Sequence, residues 1–121
     1  MAEQITPAAI TPLAPGPEVR AFEQAQQRVL QTCGVAAQSR YVQLQTPPLR
    51  VHILDAGQGD PVVLIHGGNG VAVQLAPLLA ALQSTFHLFA PDRPGCGLTD
   101  KLDYRGIPLI RDVEIVMSFW R

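Results

Sequence analysis

Three groups of residues in this chain have the types and spacing to do chemistry. One is His66-Gly67-Gly68-Asn69-Gly70, a histidine running into a glycine-rich turn directly after the apolar stretch Val62–Ile65. Another is A-P-D-R-P-G-C-G-L-T-D, residues 90–100, which holds Asp92, Arg93, Gly95 and Gly97. The last is the set of side chains that could attack or relay a proton: the histidines His52, His66 and His87, the serines Ser39, Ser84 and Ser118, and the thiols of Cys33 and Cys96. A strand that ends in a glycine turn and leads into a helix aims backbone N–H groups at the carboxyl edge of its sheet. Anions or developing negative charge are favoured there.

The elements that must position these groups can be read from periodicity. Val62–Ile65 is an unbroken apolar run, as expected of a strand covered on both faces. Before it, residues 40–45 alternate as a half-exposed strand near a sheet edge. Residues 49–55 alternate again, with Leu49, Val51 and Ile53 on one face and Arg50, His52 and Leu54 on the other. These two are expected as antiparallel edge elements, joined through the turn-rich A-G-Q-G-D-P to the buried strand. Beyond Gly70, the leucines and valines of residues 71–82 follow a helical period, interrupted by Pro77, which predicts a kink or a short start. Residues 85–90 form another strand. Strand, helix, strand is a βαβ unit with parallel strands, so both glycine-bearing turns fall on the ligand-binding edge of an α/β sheet.

Toward the N-terminus, residues 1–17 carry four of the eleven prolines and read as an extended, mobile leader. Residues 18–33 read as a surface helix stopped by Gly34. The remainder, residues 18–121, is expected to form one α/β unit. The chain is 47% hydrophobic and 16% charged, which fits a packed core and not a disordered chain. A net charge of −1 offers no basic field for nucleic acid or anionic lipid. No apolar run reaches the ~18 residues of a membrane span. The N-terminal stretch has no signal-peptide pattern, and two cysteines are too few for a disulfide framework, so a cytoplasmic location with free thiols is expected. No metal-ligand spacing and no cofactor motif beyond a partial glycine pattern is present. That pattern, Gly68 and Gly70 with Asp92 about where a ribose-binding acid would lie, could read as a dinucleotide-binding unit. Val73 at the third glycine position speaks against it.

Taken together, H-G-G-N-G and P-D-R-P-G-C-G-L-T-D at this spacing, after an antiparallel hairpin, resemble the α/β-hydrolase superfamily. The nearer likeness is to hydrolases of the esterase, epoxide-hydrolase and meta-cleavage-product-hydrolase kind. The resemblance runs from Arg40 to about Arg105. It implies an N-terminal part of an α/β-hydrolase sheet, with antiparallel hairpin first and parallel βαβ unit after. It also implies that residues 66–70 are an oxyanion and substrate loop, with Gly68 N–H as one donor, that Asp92, Arg93, Gly95 and Gly97 form a bracing turn, and that no cofactor is needed. The family's nucleophile lies in G-x-S-x-G. Ser39, Ser84 and Ser118 all lack those flanking glycines, and every histidine precedes the place of the nucleophile, so the family's triad cannot be assembled. Cys96, in G-C-G, has no evident thiolate-stabilising partner. The apolar period of Leu109, Val113, Val116, Met117 and Trp120 resembles the helix before the nucleophile strand, and a truncated product is the expectation. It follows that a small-molecule substrate is expected only for a complete enzyme. Strand Val62–Ile65, lacking its next neighbour, is expected to offer a bare apolar edge for self-association.

Overall fold

The computed structural model describes residues 5–105, 107 and 114–115. Its centre is a four-stranded mixed sheet built from β2 (Ala37–Gln43), β3 (Arg50–Ala56), β4 (Asp60–Val63) and β5 (Phe86–Pro91), in the order β2-β3-β5-β4. The hairpin β2/β3 is antiparallel, with Tyr41 opposite His52 and Ser39 opposite Leu54. β3 also pairs antiparallel with β5, and β4 pairs parallel with β5. A two-stranded ribbon pairs β1 (Ile10–Thr11) with β6 (Lys101–Leu102). The expected α/β class and the parallel strand–helix–strand unit are therefore present.

Two expectations about strand placement are corrected. β3 is not an edge element: it lies between β2 and β5, and its residues 51–54 are buried on both faces. Val51 and Ile53 enter one apolar cluster with Ile5, Ile10, Leu44, Leu49 and Leu102. Leu54 and Ala56 enter the other, with Leu30, Leu79, Leu88 and Ala90. The alternation of faces was legible; the burial of the polar one was not, because His52 is accommodated there by hydrogen bonds. Conversely, the apolar run 62–65 is not covered on both faces: Val62, Val63 and Leu64 are only half-buried, while its expected place at a bare edge holds among the described residues. β4 ends at Val63, stands outermost in the described sheet, and leaves Ile65 half exposed.

Helix α1 (Pro17–Cys33) starts with proline in its first turn, where the missing N–H costs nothing, and ends at Gly34 in the left-handed conformation. The segment 72–82 divides into a 3-10 turn, Ala72–Leu75, and helix α2 (Ala76–Leu82). Pro77 sits in the first turn of α2, so it sets the start of the helix and produces no kink. Both helices pack on the sheet face formed by Leu54, Ala56, Leu88 and Ala90. In the expected leader, Ile5 and Ile10 are buried in the second cluster, and Leu13 N–H donates to Asp100 Oδ1 at 2.9 Å. The expected C-terminal helix (Leu109, Val113, Val116, Met117, Trp120) lies outside the described residues.

Candidate functional site

The two glycine-bearing turns meet at one end of the parallel pair β4/β5. Leu64 N–H donates to Phe89 O at 2.9 Å, which continues the pairing past β4 and delivers the chain to His66. His66 is 4% exposed, and both ring nitrogens are occupied within the protein. Nε2 accepts the Arg93 N–H at 2.9 Å, so the proton of the neutral ring lies on Nδ1 and is donated to Gly67 O at 2.7 Å. The imidazole thus pins one turn to the other.

Gly67–Gly70 closes as a tight turn, with Gly70 N–H donating to Gly67 O at 3.2 Å and Asn69 in the left-handed region at φ 58°. Asparagine tolerates that conformation better than most residues. Gly68 is exposed, and a Cβ added to it would have no neighbour within 4 Å. The space beside this backbone is open to a ligand. Gly68 and Asn69 border a cleft of about 370 Å³ with Arg93, Pro94 and Cys96 from the second turn and Tyr104 from beyond β6. Of the sequence-predicted residues, Gly68, Asn69 and Arg93 meet at this cleft, while His66 and Asp92 are buried behind it.

Asp92 is the hub beneath it. Wholly buried, it accepts from Ala72 N–H through Oδ1 at 2.7 Å and from Leu98 N–H through Oδ2 at 3.1 Å. The ring of His52, also fully buried, donates from Nδ1 to Oδ2 at 2.8 Å. Gly97 lies against this carboxylate at φ 52°, and a Cβ there would overlap it. The carboxylate is committed to protein donors and sealed from solvent, so it is not available to a ribose. Asp92 was singled out from the sequence as a turn acceptor; its partner His52 was not. The signal available was a histidine sharing the second face of an alternating strand with Leu54. Among the described residues no cluster of His, Cys, Asp and Glu could hold a metal ion.

The relatives match this architecture. Over 57 residues the chain is 40% identical to cis-3-alkyl-4-alkyloxetan-2-one decarboxylase of Shewanella oneidensis, covering 47% of this chain and 18% of that one. Over 70 residues it is 29% identical to haloalkane dehalogenase 2 of Mycobacterium tuberculosis, covering 58% and 24%. The crystal structure of an epoxide hydrolase from Acinetobacter nosocomialis superposes with a TM-score of 0.61 at 16% identity, over 89% of this chain and 34% of that one. The chain is related to the α/β-hydrolase superfamily. No family model matches it. The likeness is partial: the matched segment spans about a fifth to a quarter of the length of these curated relatives. Among the described residues no helix is long and apolar enough to cross a membrane.

Proposed function

We propose that this chain is the N-terminal sheet portion of an α/β hydrolase, carrying the oxyanion loop His66–Gly70 but no nucleophile elbow. The Gly68 N–H is the donor, and Asn69 and Arg93 flank the bound group. Asp92, Gly95 and Gly97 brace the loop from below. The observation that supports this most directly is the open space beside the Gly68 backbone at the cleft, with the loop held from behind by His66. A preorganised backbone donor of this kind is worth about 3–4 kcal/mol to a tetrahedral oxyanion in a completed site.

Hydrolysis also needs an attacking group within reach of that donor. G-x-S-x-G is absent from these 121 residues, so this chain binds an oxyanion but does not turn over an ester. In a complete enzyme the substrate would be a small molecule cleaved without cofactor. A reducing, cytoplasmic setting suits Cys33 and Cys96, neither of which forms a disulfide. The open edge of β4 offers self-association through residues 62–65.

The experiment is amide NMR of the chain titrated with methylphosphonate, a stable tetrahedral oxyanion. The Gly68 amide is expected to shift on binding, and Gly68→Pro, which removes the donor, to abolish it. Binding that leaves Gly68 unmoved would overturn the assignment. So would steady-state aryl-ester turnover above background that survives Gly68→Pro.

A further inference from the structure

The loop above does not use His52, a buried histidine bonded at both ring nitrogens. Its Nδ1 meets the Asp92 carboxylate, and its Nε2 lies 2.5 Å from Ser39 Oγ. The cross-strand register accounts for this contact. Tyr41 stands opposite His52, so Ser39, two residues away, is its diagonal neighbour on the same sheet face. The tautomer is determined by Asp92, which already takes two backbone N–H groups and therefore acts as an acceptor toward the ring. Nδ1 carries the proton, and in the neutral ring Nε2 accepts from the Ser39 hydroxyl.

Burial is graded along the chain of bonds. Asp92 and His52 are 0% exposed, while Ser39 is exposed on the outer strand β2. Only the hydroxyl can meet a molecule from solution. Behind it stand a base of fixed tautomer and a carboxylate that stabilises the imidazolium. This is the connectivity by which a serine is activated as a nucleophile. The residues run Ser39, His52, Asp92 along the sequence, and none lies in a glycine elbow, so a search by motif passes over them.

We propose that Ser39, His52 and Asp92 form a nucleophilic relay that accepts an acyl group from activated acyl esters. Ser39 Oγ attacks the acyl carbon while its proton passes to His52 Nε2. The tetrahedral adduct then expels the aryloxide, which takes that proton and leaves as a phenol. One O–C bond forms, one breaks, and Ser39 is left as an ester. The expected event is a single acylation, distinct from oxyanion binding at the Gly68 loop and independent of that loop's assignment.

The test is acylation of the full chain by para-nitrophenyl acetate, read by intact mass and peptide mapping. Exposed Ser84, in a turn with no histidine bonded to it, is the internal reference. General-base assistance predicts Ser39 acetylation roughly a hundredfold faster than Ser84. Ser39→Ala should abolish the major adduct while keeping a cooperative melt, with a midpoint lowered because the buried His52 Nε2 loses its partner. Ser39→Cys is the second variant, and its thiol should acylate well ahead of Cys33 and Cys96. Equal labelling of Ser39 and Ser84, or a major adduct undiminished in Ser39→Ala, overturns the proposal.

Discussion

At the scale of single residues, Asp92 carries the greatest structural responsibility. One carboxylate holds the start of the 3-10 turn through Ala72, the second loop through Leu98 and the hairpin through His52. Its own backbone N–H completes the tie by donating to His52 O at 2.9 Å. Removing the side chain leaves those donors buried and unpaired. Asp92→Ala should cost at least about 3 kcal/mol of unfolding free energy, since three buried donors each lose their acceptor at roughly 1–3 kcal/mol apiece, as read from urea denaturation. A loss below about 1 kcal/mol would show that the hub relaxes without it. The glycines divide by the same reasoning. Gly97→Ala places a Cβ in the left-handed region and against the Asp92 carboxylate, and should cost at least about 1–3 kcal/mol. Gly68→Ala meets open space and should change stability by no more than about 0.5 kcal/mol. Thermal or urea melts of the two variants separate a glycine kept for packing from one that leaves room for a ligand.

At the scale of elements, helix α1 registers its presence on the hairpin through Tyr41. Burial raises the Tyr41 phenol above its ordinary value of 10.0, Glu23 of α1 adds to the rise, and Arg50 opposes it. Arg50 lies over the Tyr41 ring, 3.7 Å from its centroid. A phenol whose folded value is raised contributes stability that is complete below pH 10 and is lost as pH climbs through the folded value. Glu23→Gln should therefore bring the ultraviolet titration of Tyr41 closer to 10. An unchanged titration would mean that Glu23 does not lie close enough to Tyr41 to act on it. Much of this level was legible in advance. Gly34 ends α1 as expected, the leucine period gives α2, and the face assignment of residues 49–54 holds because alternation reports side-chain direction whatever covers it. Strand order was not legible, since periodicity says nothing of neighbours and β3 pairs with β5 across 32 to 38 residues of chain. The pairing of His52 with Asp92 escaped for a related reason: a polar residue in an alternating strand reads as solvent-facing until its partner from another element is known.

At the scale of the whole molecule, the described sheet has an unusual margin. β4 is outermost, yet Val62, Val63 and Leu64 are the kind of residues that fill sheet interiors. The direction of its hydrogen bonds can be worked out. Leu64 N–H points to β5, where it meets Phe89 O, so by alternation Val62 also faces β5, while Pro61 and Val63 present their backbones to the open side. Proline is tolerated in a strand where its absent N–H would face outward, and Asp60 and Pro61 thereby blunt half of this edge. Val63 is what remains able to pair. The self-association proposed for this edge should accordingly be weak and local, with elution in size-exclusion chromatography moving toward the monomer on dilution. Val63→Pro should remove the open-side donor without touching the bonds to β5, and so give a monomer at every loading concentration. Concentration-independent elution of the unaltered chain would show that the edge is covered by other means, and oligomers that persist in Val63→Pro would locate the contact on another surface.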